Sequence, residues 1–274
     1  MTRLKALARV PTFVRTGAVC ALLGVGGLLA YGAATTPAAL AQTQAGPVDE
    51  AQRKQIEGII RNYLLKNPRL MLEVQQALQK ELEKEEAARA KLAVKQNANE
   101  IFRKASSPVA GDKQGDVTIV EFFDYNCGYC KRAFTDLAAY MKTDSKVRVV
   151  FKELPILSRG SEEAARVALA AGLQGKYWEV HRDLLNLRGR AGMASALRIA
   201  QRHGLDMAKL RKDLTNPVVE KEIADTRALA QRMGINGTPH FLVGDRAIAG
   251  APQNLRDVFA NHVKDLRKNG CDVC

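Results

Sequence analysis

One stretch of the chain, residues 117–130, reads VTIVEFFDYNCGYC and decides the fold. Its first part, Val117 to Phe123, is mostly apolar, which is typical of a buried strand. A short polar turn follows, and a helical pattern begins directly after Cys130. This order predicts that Cys127 lies at a helix N-terminus, where unpaired backbone N–H groups and the helix dipole favour an anion.

The two cysteines of this stretch are predicted to be catalytic. The pKa of a free cysteine is about 8.5, and a helix N-terminus lowers it, so the thiolate becomes a nucleophile near neutral pH. Cys127 would attack a substrate disulfide, and Cys130 would resolve the mixed disulfide. Gly128 and Tyr129 between them allow both sulfurs to meet on one helical turn. A structural disulfide or a metal-binding knuckle is the alternative.

A third catalytic residue is predicted at Glu121, six residues before Cys127. Because side chains alternate along a strand, Glu121 is expected to point into the core beneath Cys130. Burial raises the pKa of a carboxyl group, so Glu121 would accept and return the proton of the inner thiol. The alternative is a partly exposed acid at the edge of the sheet.

The first 41 residues have the pattern of an export signal. Residues 17–34 are small and apolar, Ala39-Leu40-Ala41 fits an A-x-A cleavage site, and no acid is present. We therefore expect residues 1–41 to be a signal peptide cleaved near Ala41, and the mature protein to be periplasmic. An uncleaved membrane anchor is the alternative. The basic residues of the leader are Arg3, Lys5, Arg9 and Arg15.

Residues 48–104 are predicted to be a helical, charge-rich segment. Apolar residues recur at helical spacing, and Asn67-Pro68 interrupts the helix. The resulting apolar stripe is thin, so the segment must pair with another copy or fold back on the main domain, and pairing is favoured. A solvated stalk is the alternative. The joint to the following domain is marked by Pro108, Gly111 and Gly115.

Residues 108–274 have the pattern of an α/β domain. The strand at 117–123 and a helix at about 128–142 are followed by a second strand, and a helical insertion covers about 158–233. This order indicates a small sheet flanked by helices. The other predicted elements are strands at 147–151, 238–243 and 246–249 and a helix at 254–267.

The chain has a formal net charge of +13. A basic balance can indicate nucleic acid or an anionic membrane surface as a partner. Lys and Arg, however, are spread along helical patterns, and no basic run with interleaved aromatic residues is present. The sequence therefore predicts a solvated basic surface and no nucleic-acid partner.

With these motifs the sequence resembles the thioredoxin superfamily, specifically the exported DsbA-like thiol–disulfide oxidoreductases. The resemblance covers roughly residues 110–268 and rests on Cys127-Gly128-Tyr129-Cys130 after a strand, the helical insertion, and Gly237-Thr238-Pro239. It implies a thioredoxin fold with a helical insertion, an acid at the Glu121 position, and a cis bond before Pro239 that faces the active-site disulfide. It implies no cofactor and no resident metal.

The resemblance also implies a substrate-binding surface. Thr238 and Pro239 are expected to offer a backbone edge to an extended substrate peptide, and Gly128 and Tyr129 complete the surface. The implied substrates are exported cysteine-containing proteins, and the implied redox partner is a membrane protein.

Residues 48–104 more weakly resemble the N-terminal oligomerising helices of the ScsC branch. The Cys-Gly-Tyr-Cys motif with Thr238 before the proline is also similar to the exported isomerases of the DsbC type. The strongest oxidants of the family carry a histidine between the cysteines, and its absence here indicates a milder redox poise. The resemblance thus favours a homo-oligomeric isomerase or reductase. A monomeric DsbA-like dithiol oxidase and a Cu(I)-binding protein are the alternatives.

A second C-x-x-C pair, Cys271 and Cys274, departs from the family pattern. It would form a passive disulfide, act as a relay that passes electrons to Cys127 and Cys130, or bind a soft metal such as Cu(I). The residues alone leave these three interpretations open.

Several polar and aromatic residues lie near the motif in the sequence. Asp124, Tyr125 and Asn126 are expected to shape the substrate groove, with a helix cap as the alternative for Asn126. His240 is expected to point away from the site and to be structural. Core positions are predicted for Tyr177 and Trp178, which lie near His181 in the insertion.

Overall fold

A computed structural model describes residues 48–271 of the chain. Contacts divide the chain into two units, residues 1–62 and 63–274. The predicted signal peptide lies outside the described residues. None of the described helices combines the length and the apolarity that crossing a bilayer requires.

Most of the described part of the first unit belongs to helix α1, Glu50–Lys66, in which no residue is buried. Its apolar side chains Ile56, Ile59 and Ile60 are exposed. Helix α1 ends at the predicted break, since Pro68 begins the next helix and has no N–H to donate.

The second unit contains helix α2, Pro68–Gln96, whose only buried residue is Val94. Its surface therefore keeps the apolar stripe that the sequence indicates. The exposed large apolar residues of this helix are Met71, Leu72, Val74, Leu78, Leu82 and Leu92.

A five-stranded mixed sheet forms the centre of the second unit, in the order β1-β3-β2-β4-β5. Strands β2 and β3 are parallel, and the other neighbours are antiparallel. The expected α/β class is thus confirmed. The strands are β1 (Val109–Gly111), β2 (Val117–Phe123), β3 (Val147–Glu153), β4 (His240–Val243) and β5 (Arg246–Ala249).

Three of these strands differ from the sequence prediction. Strand β1 was not predicted, because the proline and glycines around it were interpreted as a joint. Strand β3 extends two residues beyond 151, to Glu153. Strand β4 begins at His240 and not at Thr238, because Pro239 lacks the N–H that a ladder needs.

One face of the sheet is covered by helix α4 (Gly128–Thr143), helix α10 (Leu255–Asn269) and most of the helical insertion. Alternate residues of β2, such as Ile119 and Phe123, point into this core and are fully buried. The helices of the insertion are α5 (Arg159–Gly172), α6 (Tyr177–Leu185), α7 (Met193–Arg202), α8 (Met207–Asp213) and α9 (Pro217–Arg232).

The other face of the sheet is covered by the end of α2, by helix α3 (Ala98–Phe102) and by part of α9. Phe102 is buried against Val120 and Phe122 of β2 in this second core. The buried Lys152 ammonium donates to the Glu100 carbonyl oxygen at 2.6 Å and to the Ser107 hydroxyl at 2.7 Å. Residues 98–107 are therefore part of the packed domain.

Candidate active site

Cys127 is the N-cap residue of α4, as the sequence predicts. Its backbone is extended, and its sulfur accepts a hydrogen bond from the Cys130 backbone N–H at 3.3 Å. Cys127 is 6% exposed and Cys130 is fully buried, and both thiols are free. The outer sulfur alone can thus meet a protein substrate.

The two thiols have different surroundings, and their pKa values shift in opposite directions. The pKa of Cys127 is lowered from 9.0 to about 6, although burial acts against this. The thiolate is stabilised by hydrogen bonds from the side chains of Cys130 and Thr238 and from the backbone N–H groups of Cys130 and Tyr129. Burial raises the pKa of the Cys130 thiol. At neutral pH the arrangement therefore holds one thiolate and one thiol.

The four predicted substrate-binding residues surround the Cys127 sulfur. This sulfur lies 3.2 Å from the Thr238 carbonyl oxygen, and the Thr238–Pro239 bond is cis. Gly128 is exposed, and the Tyr129 side chain is 62% exposed. The structure brings these residues together around this sulfur, with Pro239 buried and Thr238 half-buried, while their binding role stays a prediction.

Glu121 is fully buried on the α4 side of the central strand β2. A position at the sheet edge is therefore wrong for it. Neither carboxylate oxygen has a hydrogen-bond partner among the described residues. Burial raises the pKa of Glu121 from 4.5 to about 8, and the Cys127 charge contributes to this rise. An acid that titrates near neutral pH beside the two sulfurs has the protonation range that proton exchange with Cys130 requires.

Asp124 does not shape a surface groove, because it is buried beneath the reactive loop. Its carboxylate accepts from the Asn126 N–H at 2.7 Å, the Ile156 N–H at 2.9 Å and the Leu157 N–H at 3.0 Å. It thereby ties the reactive loop to the segment after β3. The expectation of a groove-lining Asp124 is wrong, since three backbone donors draw its side chain inward.

Tyr125 is also buried, against the sequence expectation. Its hydroxyl donates to Glu153 Oε1 at 2.8 Å and lies 3.0 Å from His181 Nδ1. The Tyr177 hydroxyl donates to the same Glu153 oxygen at 2.9 Å. Burial lowers the pKa of His181 to about 3 and raises that of Glu153. This cluster is a neutral core network that supports the reactive loop from below.

Trp178 packs against Phe134 of α4, with ring centroids 5.9 Å apart, so its predicted core position is confirmed. His240 packs edge-on against Phe122, with ring centroids 6.4 Å apart, on the sheet face opposite Glu121. As expected, His240 points away from the reactive sulfur.

The residues that flank the C-x-x-C motif both bind the segment between α6 and α7. The Asn126 amide group donates to the Ala191 carbonyl oxygen at 3.0 Å and accepts from the Ala191 N–H at 2.8 Å. Lys131 donates to the Leu187 and Gly189 carbonyl oxygens at 2.8 and 2.9 Å. Asn126 is thus not a helix cap, and neither interaction was predicted. No local pattern signals them, because the partners lie more than 50 residues away.

Cys271 is disulfide-bonded, and Cys274 lies outside the described residues. Arg267, one turn before Cys271, forms ion pairs with Asp116 and Asp144. These acids precede β2 and follow α4, so they mark the end of the domain opposite Cys127. A seven-residue strand is ~23 Å long, and a relay within one chain would have to cross that distance.

The comparisons with known proteins agree with this geometry. The DSBA-like thioredoxin domain matches residues 118–262, more than half of the chain, and the chain therefore belongs to this family. The copper resistance protein ScsC N-terminal domain matches residues 52–88. The family predicted from the motifs is confirmed.

Two solved structures illustrate the similarity. A thioredoxin-like oxidoreductase from Silicibacter pomeroyi is 43% identical, with a TM-score of 0.60, over 63% of this chain and 98% of that chain. ScsC of Proteus mirabilis in a transitional conformation is 26% identical, with a TM-score of 0.59, over 80% of this chain and 99% of that chain.

A relative of another kind is the Na(+)/H(+) antiporter NhaA 3 of Salinispora tropica. It is 32% identical over 154 residues, which are 56% of this chain and 24% of the antiporter. The chain thus spans about a quarter of the length of the curated relatives that it matches.

Proposed function

We propose that the protein is a thiol–disulfide oxidoreductase that acts through Cys127 and Cys130. The observation that carries this proposal is the pairing of an acidified thiol at the α4 N-cap with a buried thiol one turn away. An inert structural disulfide needs no such difference between its sulfurs.

The exchange proceeds in two displacements. The Cys127 thiolate attacks one sulfur of a substrate disulfide, and the other substrate sulfur leaves as a thiolate. Cys130 then loses its proton to the Glu121 carboxylate and attacks the Cys127 sulfur, which releases the second substrate sulfur. The substrate is reduced by two electrons, and the protein is left with a Cys127–Cys130 disulfide.

The proposed direction is reduction or isomerisation. The loop between the cysteines carries no histidine, and the Arg132 guanidinium lies over the Tyr129 ring, 5.0 Å from its centroid. An isomerase must attack wrong disulfides in its reduced form. A pKa of about 6 for Cys127 keeps the reduced form reactive at neutral pH.

The proposed setting is the periplasm, with exported cysteine-containing proteins as substrates and a membrane protein as the redox partner. The leader-like segment supports this setting, and so does the similarity to a periplasmic thioredoxin-like protein from Salmonella enterica. Assembly of two or more copies through residues 48–104 would gather several reactive sites.

The activity is tested by refolding of scrambled ribonuclease and by reduction of insulin. Cys127→Ala is expected to abolish both activities. Cys130→Ala is expected to accumulate mixed disulfides with the substrate, because the resolving thiol is lost. Cys271→Ala is the matched control and should keep both activities. Oxidation of reduced substrates without any isomerisation would instead support the dithiol oxidase.

The proposed assembly is tested in the full chain by its molar mass. Leu78→Asp together with Leu82→Asp places two charges on the exposed stripe of α2, and we expect a shift to monomer. Gln76→Asp with Ala87→Asp adds the same charge on the opposite side of the same helix, where both residues are exposed, and should leave the mass unchanged. A wild-type protein that is monomeric would overturn the isomerase assignment.

A further inference from the structure

The segment between α6 and α7, residues 187–191, is held directly against the reactive loop. Asn126, the residue before Cys127, binds the backbone of Ala191 in both directions. Lys131, the residue after Cys130, binds the carbonyl oxygens of Leu187 and Gly189. We name residues 187–191 the basic loop. Four hydrogen bonds with the residues on either side of the motif hold it in place.

The basic loop presents two arginines beside the site. Arg188 and Arg190 are exposed on either side of Gly189, whose φ of +94° reverses the chain between them. Within residues 48–271 neither guanidinium forms a hydrogen bond or an ion pair with the protein. Most other arginines of the insertion, by contrast, have a carboxylate partner, as Arg166 and Arg227 do with Glu162.

The surroundings of the basic loop do not neutralise it. The nearest described acid of α5 is Glu163, which accepts from the Met193 N–H at 3.1 Å and forms an ion pair with Arg159 at 3.1 Å. The Arg132 guanidinium adds a further cation at the Tyr129 side of the site. Positive charge therefore predominates around the opening through which a substrate reaches Cys127.

We propose that the basic loop recognises acidic segments next to the reacting cysteine of a substrate protein. This inference rests on the proposed function and specifies its substrate class. The chemistry fits, since a guanidinium binds a carboxylate through two parallel hydrogen bonds. Charges of one sign around a site also accelerate the approach of the opposite charge, and salt suppresses this effect.

The fixed backbone makes such recognition effective. A loop that is ordered before binding does not lose backbone freedom when the substrate arrives. Because Asn126 and Lys131 adjoin the two cysteines, an acidic residue bound by Arg188 or Arg190 lies within a few residues of the disulfide that Cys127 attacks. The loop thereby selects substrates without altering the sulfur chemistry.

The test uses the reduced full-length protein and two disulfide-linked peptides that differ only beside the cysteine, Asp-Asp in one and Asn-Asn in the other. The rate constant for formation of the mixed disulfide is measured in acid-quenched samples. We expect the acidic peptide to react about tenfold faster at low salt, with a ratio near one at ~0.5 M salt. In Arg188→Gln/Arg190→Gln the low-salt ratio should fall to about two.

The matched control is Arg198→Gln/Arg211→Gln, which removes two exposed charges from α7 and α8 and should keep the tenfold ratio. Equal rates for the two peptides, or an unchanged ratio in the Arg188/Arg190 variant, would overturn the inference. A third outcome would assign the loop to a membrane and also overturn the inference. In that outcome the wild type shows no preference between the peptides, and the Arg188→Gln/Arg190→Gln variant loses binding to vesicles of anionic phospholipid. Failure of both peptides to react would instead refute the proposed function.

Discussion

Two buried acids lie on neighbouring strands of this domain and have opposite surroundings. In the parallel register of β2 and β3, Glu121 is opposite Phe151 and Glu153 is opposite Phe123. Glu153 accepts hydrogen bonds from two tyrosine hydroxyls, whereas the oxygens of Glu121 have no partner within the described residues. Both carboxyl groups have raised pKa values because of burial.

The difference separates a structural acid from a chemical one. An acid whose oxygens accept hydrogen bonds from fixed donors stabilises the fold in one protonation state, and these hydrogen bonds oppose a change of that state. An acid without partners gains nothing from remaining buried, so its retention beside two sulfurs indicates a use for its proton. Changing one acid at a time should therefore separate the two roles.

The largest effect is expected at Glu153. Glu153→Ala removes the acceptor of two buried phenols and leaves a cavity, so the free energy of unfolding should fall by about 3–5 kcal/mol. Glu153→Gln keeps an acceptor oxygen and should cost less than about 1.5 kcal/mol. Chemical denaturation of the reduced protein measures both. Equal stability of the alanine variant and the wild type would contradict the structural role.

The opposite effect on stability is expected at Glu121. The pKa of the Glu121 carboxyl group is near 4.5 in the unfolded protein and near 8 in the folded protein. Its ionisation therefore leaves the free energy of unfolding unchanged below pH 4.5 and lowers it by the largest amount above pH 8. Glu121→Gln should therefore match the wild type at pH 4 and exceed its stability by as much as ~5 kcal/mol at pH 9. Denaturation at both pH values decides this.

Glu121→Gln should also slow the resolution of the mixed disulfide by about 10²-fold, because Cys130 loses its proton acceptor. Release of substrate from a preformed mixed disulfide measures this step. Glu153→Gln is the control and should leave the rate unchanged. A comparable loss in both variants would show that the two acids do not differ in function.

The smallest effect is expected in the pH profile of Cys127. Its alkylation rate should rise with a midpoint near pH 6, and the wild type should show a minor second inflection near pH 8 from Glu121. The second inflection should be absent in Glu121→Gln and present in Glu153→Gln. The thiolate also stabilises the reduced fold, by an amount that is zero below pH 6 and grows up to pH 9.

Local sequence patterns were sufficient to predict the part of the fold that carries the two reactive cysteines. The strand at 117–123 was predicted with its observed bounds, since seven consecutive residues carry its signal. The helix N-terminus at Cys127 followed from the polar turn after that strand. The burial of Glu121 followed from strand alternation, because its neighbours on either side face the other core.

Contacts between distant residues were beyond local patterns. Strand β1 has three residues, too few for an alternating pattern, and only its pairing with β3 defines it. Tyr125 was assigned to a surface groove because nothing near it in the sequence shows Glu153 and His181 as its partners. Asn126 and Lys131 were not connected to the insertion for the same reason.

The uninterrupted length of helix α2 has a consequence for the geometry of an assembly. Its 29 residues extend ~43 Å, and Val94 near its C-terminal end is embedded in the second core. In an oligomer joined at the far end of this helix, the helix would act as a spacer between reactive sulfurs of different copies. Deleting or adding one whole turn would change that spacing by ~5 Å while leaving each redox centre intact.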